Sequence, residues 1–261
     1  MSTEAAARAW AEALAPVTDA MLDLARPMPG EHVLDVGAGA GQLALEIAAR
    51  VGPSGQVLAI DPSPEAIADI ERAARDSRDR APLSALVASA ESLDVGAARF
   101  DLAVARNSVM YFEDLPRALA NLRRALRPGG RLVASVYAPL DDEPFHAIPL
   151  AAVSRRCVLE RPLPEYAAAF EVGARDVESA LLASGWSAVT GREVAVRRSF
   201  PAPESLRTAL RGSRSLAELL GRLPAAQHAE AWQEIDAGFD AFATAAGVVV
   251  PGRQVLLAAT A

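Results

Sequence analysis

The stretch VLDVGAGAG at residues 33–41 decides the fold, because an apolar run ends there in three glycines at alternate positions. His32–Val36 has the length and apolar character of a buried β-strand. Gly37, Gly39 and Gly41 then weaken the backbone, which a chain tolerates where it needs a positive φ or where another group approaches closely. The residues that follow repeat apolar side chains at helical spacing. The stretch therefore predicts a strand, a glycine loop and a helix.

Strand and helix patterns alternate from residue 3 to about residue 138, at the spacing expected of βαβ units. The segments with strand character are His32–Val36, Gln56–Ile60, Leu83–Ala88, Phe100–Ala105, Leu132–Tyr137, Trp186–Phe200 and Gln254–Ala261. We therefore expect an α/β protein built on a parallel sheet. Before the first strand, residues 3–25 predict two short helices, because Pro16 interrupts the helical pattern.

Composition and charge favour a small molecule as the partner. The 261 residues are 51% hydrophobic and 23% charged, enough for one large domain or two small ones. The net charge of -7 argues against nucleic acid or an anionic membrane surface as the partner. All 26 basic residues are arginine, which excludes Schiff-base chemistry on lysine and a P-loop lysine.

Neither a membrane anchor nor a metal site is expected from the sequence. No run of about 18 apolar residues occurs and no signal peptide is visible, so we expect no membrane span and a cytoplasmic location. Cys157 is the single cysteine, and it lacks the Cys or His neighbours that a zinc site needs. We therefore expect no metal.

The glycine spacing separates two kinds of nucleotide site. A dehydrogenase loop of the form G-x-G-x-x-G that starts at Gly37 needs its third glycine at position 42, where this chain has Gln42. That glycine serves pyrophosphate binding, because it lets the helix pack tightly against the strand. The departure at Gln42 therefore favours a ligand without phosphates.

Three further signals give the chain a family resemblance. Asp35 begins a D-x-G-x-G-x-G pattern, Asp61 ends the second strand, and LRPGGRL occupies residues 126–132. Over roughly residues 15–138 the chain resembles class I S-adenosylmethionine-dependent methyltransferases, especially the UbiE-like small-molecule group. The resemblance implies a Rossmann-like, doubly wound and mostly parallel sheet of seven strands, with S-adenosyl-L-methionine as the cofactor.

The resemblance also implies which residues bind that cofactor. The glycine loop would lie against the methionyl and ribose atoms, with Gln42 next to it, and Asp35 would order the ligand ammonium directly or through water. Asp61 would accept two hydrogen bonds from the ribose hydroxyls, and its alternative role is that of a helix-capping acid. It is followed by Ser63-Pro64, which predicts a helix start.

The adenine position departs from the family pattern. The family usually has Asp-Ala at the end of the third strand, and this chain has Ser89-Ala90. The Ser89 hydroxyl is a neutral acceptor and should hold the adenine amino group less firmly than a carboxylate. Arg106 stands where the family backbone touches the methionyl amine, and it is either a cofactor residue or a structural arginine. The absence of Asn/Asp-Pro-Pro-Tyr at this point argues against methylation of nucleic-acid bases.

The resemblance leaves the acceptor site less defined. Methyl transfer to a hydroxyl or an acidic carbon benefits from a general base, and His146 is our candidate because it follows the carboxyl end of the fifth strand. Tyr111 either lines the acceptor pocket or packs in the core. His32 and His228 are less suited, since the first lies at the wrong strand end and the second in a late helix.

Three regions organise the chain in this interpretation. Residues 1–138 form the cofactor-binding core with its leading helices, residues 139–174 a lid or connection, and residues 175–261 the rest of the sheet. The later helices are predicted at Arg175–Ser184, Pro203–Leu223 and Ala225–Ala246. The insertion at about 201–252 carries apolar stripes that predict a substrate cap or a homodimer surface, or ordinary core packing.

The expected function is methyl transfer to oxygen, nitrogen or carbon of a small, largely apolar metabolite, such as a specialised natural product or a quinone. An alternative is a cyclase or lyase that binds the same cofactor without transferring its methyl group. A cofactor-binding regulator without turnover is a third hypothesis.

Overall fold

The computed structural model describes residues 3–75 and 80–261, and their side chains from residue 11 onward. The helices are α1 Thr3–Ala25, α2 Gln42–Val51, α3 Pro64–Ala74, α4 Leu115–Ala125, α5 Pro144–Ser154, α6 Glu165–Ala168, α7 Ala174–Ala183, α8 Pro203–Gly212, α9 Arg214–Leu220 and α10 His228–Phe239. The strands are β1 His32–Val36, β2 Gln56–Asp61, β3 Leu83–Val87, β4 Phe100–Arg106, β5 Leu126–Tyr137, β6 Ser187–Phe200, β7 Ala243–Thr244 and β8 Gly247–Thr260. No helix within the described residues is long and apolar enough to cross a membrane.

The strands form one sheet in the order β3-β2-β1-β4-β5-β8-β6, and the two-residue β7 pairs antiparallel with β8. Strand β1 pairs in parallel with β2 and β4, and the outer pairs β2–β3 and β4–β5 are parallel too. The predicted Rossmann-like, mostly parallel sheet of seven strands is confirmed. The order reverses between β1 and β4, and open α/β sheets bind their ligands beyond the carboxyl ends of the strands at such a point.

The described chain divides into two compact units. The glycine-loop unit comprises Thr18–Val136, Gly173–Glu193 and Val255–Ala261. The helical unit comprises the described residues up to Val17, with Tyr137–Val172 and Val194–Gln254. The predicted lid and the predicted cap insertion both lie mainly in the helical unit.

Local signals account for the order of elements in the glycine-loop unit. Helix α2 buries Leu43, Ile47 and Val51 along one face and ends at Gly52, which has a φ of 67°. Helix α3 begins at Ser63, whose hydroxyl accepts a hydrogen bond of 3.2 Å from the Ala66 amide. The Ser63 contact confirms the predicted start of α3.

The apolar stripes of the insertion pack within the helical unit. Its core includes the buried residues Leu216, Leu219, Leu220, Leu223, Ile235 and Phe239. Trp232 and Phe242, which belong to the same predicted stripes, are partly buried against this core. The stripes therefore supply core packing, and the roles of substrate cap and dimer surface stay predictions.

Several details of the predicted elements are wrong, among them the single helix predicted at Pro203–Leu223, which the structure divides into α8 and α9. Helix α1 runs unbroken through Pro16, because Ala13, Val17 and Met21 are all buried along the helix and this burial outweighs the lost hydrogen bond. Strand β5 begins at Leu126 instead of Leu132 and absorbs the glycine turn through a register shift against β4. The predicted helix to Ala246 ends earlier, and β8 begins seven residues before Gln254 as part of a hairpin with β7.

Candidate functional site

The three loop glycines serve different purposes in the structure. Their φ angles are +68° at Gly37, +55° at Gly39 and +81° at Gly41. A β-carbon at Gly37 would lie 2.4 Å from the Ser108 β-carbon, and one at Gly41 would lie 2.7 Å from Ile70 Cγ1. A β-carbon at Gly39 would meet nothing within 4 Å. Packing within the protein therefore requires glycine at positions 37 and 41, and of the three only Gly39 presents its backbone to open space.

Asp61 holds the loop in this position. Its Oδ2 accepts a hydrogen bond of 2.9 Å from the Gly39 amide, and its Oδ1 accepts one of 2.9 Å from the Ser63 amide. The carboxylate thus joins the glycine loop to the start of α3, which the sequence interpretation did not anticipate. Each carboxylate oxygen has a second lone pair, so Asp61 can still accept hydrogen bonds from a ligand that carries neighbouring hydroxyls.

Asp35 is a buried carboxylic acid beside the loop. Its side chain is 1% exposed and its Oδ2 makes no hydrogen bond within the described residues. Burial raises the pKa of Asp35 to about 7, because the low-dielectric surroundings disfavour its charged form, and the nearby Arg106 cation opposes this rise. A cationic ligand group placed against Oδ2 would favour the ionised form.

Arg106 and Gln42 are brought together at the end of β4. Arg106 Nη1 donates a hydrogen bond of 2.6 Å to Thr18 Oγ1, and its Nη2 donates one of 3.4 Å to Gln42 Oε1. The guanidinium therefore ties α1 to the first residue of α2, while its charge acts on Asp35. Arg106 is thus bonded to both helices, and its role as a cofactor residue stays a prediction.

The turn that contains Ser89 and Ala90 is held from α4. Ser89 caps it, because its hydroxyl accepts a hydrogen bond of 3.3 Å from the Ser92 amide. Asn121 donates hydrogen bonds of 3.1 and 2.8 Å to the carbonyls of Ala90 and Glu91. The Ser89 oxygen is thus partly committed to its own turn, and Asn121 is a supporting residue that the sequence interpretation missed.

A polar seam joins the carboxyl ends of the central strands. Asn107 has a φ of 52°. The Ser135 hydroxyl donates a hydrogen bond of 2.8 Å to Asn107 Oδ1 and accepts one of 3.0 Å from the backbone N–H of Asn107. The Ser108 hydroxyl donates a hydrogen bond of 2.7 Å to the Val36 carbonyl. These contacts were also missed, although a serine inside the apolar run of β5 is a visible signal for them.

The two candidates for the acceptor side lie in different units. Tyr111 belongs to the glycine-loop unit, in a short turn at Val109–Tyr111, and is 36% exposed. His146 lies on α5 in the helical unit and is buried. Burial lowers the pKa of His146 in spite of the carboxylate of Glu143, whose Oε2 lies 3.4 Å from Nδ1. The role of His146 as a general base and that of Tyr111 in the acceptor pocket stay predictions.

The arrangement in the glycine-loop unit suits a ligand with a cation and neighbouring hydroxyls. Open backbone at Gly39 lies next to Asp61, which can accept hydrogen bonds, and Asp35 can neutralise a cation. Among the described residues, no group of three His, Cys, Asp or Glu side chains is placed to hold a metal ion.

Comparison with known proteins finds a family match within this unit. Residues 33–130 match the family described as a methyltransferase domain. Over 121 residues, 45% of its length, the chain is 37% identical to the nocamycin O-methyltransferase of Saccharothrix syringae and covers 41% of that protein. The chain spans 35 to 56% of the length of three such curated relatives.

Solved structures agree on the fold. The YcgJ protein of Bacillus subtilis matches with a TM-score of 0.61 at 19% identity, over 93% of this chain and 97% of its own. The 4+2 cyclase SpnF matches with a TM-score of 0.56 at 22% identity, over 93% of this chain and 79% of its own. At such identities the likeness concerns the fold alone.

Proposed function

We propose that this chain is a class I S-adenosyl-L-methionine-dependent methyltransferase that methylates a small, largely apolar metabolite on oxygen, nitrogen or carbon. The match of residues 33–130 to a methyltransferase domain and the similarity to O-methyltransferases support this proposal. The similarity to the nocamycin O-methyltransferase favours a specialised natural product as the acceptor of this chain. The similarity to a naphthoquinone methyltransferase makes a quinone the nearest alternative. A nucleic-acid partner does not fit the net charge of -7.

One observation carries the proposal: backbone is open at Gly39 between two carboxylates of different character. Asp61 is partly exposed and keeps free lone pairs, which suits a ribose diol. Asp35 is buried with an unpaired Oδ2, which suits an ammonium group. S-Adenosylmethionine carries both groups, and its sulfonium supplies a methyl carbon that a nucleophile can attack.

The remaining cofactor contacts follow from the same placement. Ser89 and the backbone of Ala90 would hold the adenine, and the shared Ser89 oxygen would bind it less firmly than a free carboxylate. Arg106 and Gln42 would support the cofactor site indirectly, because their hydrogen bond fixes the start of α2 next to the glycine loop. This assignment makes Arg106 a supporting residue for Asp35.

Our proposals for the acceptor side concern His146 and Tyr111. His146 is our proposed general base, because its lowered pKa keeps the imidazole neutral at neutral pH and Glu143 lies beside its Nδ1. Tyr111 is our proposed acceptor-lining residue. We also keep the proposals that residues 139–174 form a lid, that residues 201–252 form a cap, and that the latter can instead form a homodimer surface.

The direct test is transfer of label. Purified protein is incubated with S-adenosylmethionine labelled in the methyl group and a panel of phenolic, polyketide and quinone acceptors. We expect labelled product with at least one class and with the His146→Gln variant at a lower rate. Absence of binding of S-adenosylhomocysteine by calorimetry would refute the cofactor assignment, whatever the acceptor.

A second candidate is a cyclase or lyase that uses the bound cofactor without methyl transfer. The likeness in fold to the cyclase SpnF supports this candidate, because one fold can host methyl transfer and cyclisation. Product formation supported equally by S-adenosylhomocysteine, with no cofactor consumed, would favour it over the methyltransferase.

A further inference from the structure

Asp35 is a buried acid with one oxygen that the protein does not pair. The residue lies on β1, two positions before Gly37, and is 1% exposed. Its Oδ2 has no hydrogen-bond partner within the described residues, while the Ala44 amide in the first turn of α2 is a backbone donor to the carboxyl group. Native proteins leave few buried polar atoms without a partner. The position of Asp35 next to the glycine loop indicates that a ligand is the missing partner of Oδ2.

Two charged groups act on Asp35 from neighbouring strands. Arg106, at the end of β4, stabilises the ionised carboxylate, and Asp61, at the end of β2, repels it. Hydrogen bonds to Thr18 Oγ1 and Gln42 Oε1 hold the guanidinium in place. All of these residues belong to the glycine-loop unit. The electrostatic surroundings of Asp35 are therefore set within one unit.

Without a cation against Oδ2, Asp35 favours its protonated form. Burial removes the water that would stabilise a carboxylate, and this effect exceeds the attraction of Arg106. The pKa of Asp35 therefore rises to about 7, so that about half of the molecules carry the proton near neutral pH. The unpaired Oδ2 is compatible with this form, because a neutral carboxyl group costs less to bury than a charged one.

A bound ammonium group reverses this preference. It would donate a charge-assisted hydrogen bond to Oδ2, which favours the carboxylate. S-Adenosylmethionine and S-adenosylhomocysteine carry such a group, whereas 5′-methylthioadenosine has the adenosine and the sulfur without the amino-acid end. A ligand that prefers one protonation state of Asp35 shifts the protonation equilibrium, and the proton shifts the affinity for that ligand in return.

We propose that Asp35 releases a proton when the cofactor binds, so that the site discriminates in favour of ligands with an ammonium group above neutral pH and loses this discrimination below it. The assignment rests on the proposed cofactor and adds a specificity role and a proton dependence to the same site. On binding, the O–H bond of Asp35 breaks, its electron pair stays on the carboxylate and the proton passes to solvent water. The ligand ammonium keeps its protons and donates a hydrogen bond to Oδ2.

Calorimetry with two probes tests this coupling. S-Adenosylhomocysteine and 5′-methylthioadenosine are titrated into the wild-type protein at pH 6, 7 and 8, each time in two buffers with different ionisation enthalpies, so that released protons are counted. We expect S-adenosylhomocysteine to bind about ten-fold more tightly at pH 8 than at pH 6, and to release about one proton at pH 6 and almost none at pH 8. The affinity for 5′-methylthioadenosine should stay constant or fall over this range, without proton release.

Two variants separate proton release from a structural role. Asp35→Asn keeps the shape of the neutral acid and cannot ionise, so S-adenosylhomocysteine should bind equally at pH 6 and pH 8 without releasing a proton. Arg106→Gln removes the cation that opposes protonation, so the midpoint of proton release should move to higher pH. A purely structural role of Arg106 would leave this midpoint unchanged. The wild-type titrations decide the proposal even if a variant does not fold.

The possible outcomes distinguish this proposal from the cofactor assignment. Equal affinity for S-adenosylhomocysteine at pH 6 and pH 8 without proton release would overturn the proton coupling alone. The same holds for an identical pH dependence with both probes, or for one that survives in Asp35→Asn. A protein that takes up no S-adenosylhomocysteine at any pH refutes the cofactor assignment and the coupling with it.

Discussion

The two units keep buried ionisable groups in different ways. In the glycine-loop unit, Asp35 is a single buried acid with one unpaired oxygen, and its pKa rises to about 7. In the helical unit, Glu143 is ion-paired with Arg198 and lies beside a neutral His146. A lone buried acid can adopt its neutral form, whereas a buried ion pair depends on both partners. The first arrangement suits recognition of a cation, and the second makes the stability of the helical unit depend on both charges of the pair.

The largest expected effect breaks the ion pair of the helical unit. The variant Arg198→Met leaves the Glu143 carboxylate buried without a counter-charge, which should lower the free energy of unfolding by about 3 to 5 kcal/mol. The matched control is the double variant Glu143→Gln with Arg198→Met, which should recover a large part of that loss. Urea unfolding of both proteins measures the difference. Equal losses in the two variants would contradict the ion-pair account.

The raised pKa of Asp35 in the glycine-loop unit should make the stability of the protein depend on pH. Because folding raises the pKa of Asp35 from 3.8 to about 7, the folded state binds more protons in that window and stability falls as pH rises through it. The full shift corresponds to a loss on the order of 4 kcal/mol. Denaturant unfolding of the wild type and of Asp35→Asn, from pH 4 to pH 8, should show the difference between them. Parallel profiles would rule this explanation out.

His146 should act in the opposite direction. Folding lowers its pKa below 6.5, so the folded state binds fewer protons and stability is lost as pH falls below that value. The two units are therefore expected to titrate with opposite sign.

The glycine loop offers a comparison within one unit. The variant Gly37→Ala meets Ser108 at 2.4 Å and also strains a φ of +68°, so we expect it to lower the free energy of unfolding by about 3 kcal/mol. The variant Gly39→Ala meets nothing within 4 Å and should cost about 1 kcal/mol, for its positive φ alone. Gly39→Ala should nevertheless weaken binding of S-adenosylhomocysteine. Similar stability losses in both variants would show that the loop packs differently.

The last prediction concerns Asp61 and the affinity for the cofactor. The variant Asp61→Ala should reduce affinity for S-adenosylhomocysteine by about 1.5 to 3 kcal/mol, the range for hydrogen bonds to a charged group. Asp61→Asn is the control, because its amide can keep one acceptor for the Gly39 amide. Calorimetry should place Asp61→Asn between the wild type and Asp61→Ala. An unchanged affinity in Asp61→Ala would mean that the ribose is held elsewhere.

Much of the glycine-loop unit was predictable because its signals are local. Strand β1 has the predicted bounds, and Ser63 caps α3 as expected. The second role of Asp61, as an anchor for Gly39, was not predictable from spacing, because it depends on where the loop turns. Helix α1 shows the limit of a local rule, since burial on both sides of Pro16 overrides the helix break that proline predicts.

The sequence by itself determined the order of strands and helices, the glycine loop and the acid at each of the first two strand ends, because these depend on residues close together in the chain. Only the tertiary structure decided that Ser108 packs against Gly37, that Asn121 holds the Ser89 turn, and that Glu143 meets Arg198. Such contacts join residues dozens of positions apart, and their existence depends on strand order and register, which local periodicity does not encode.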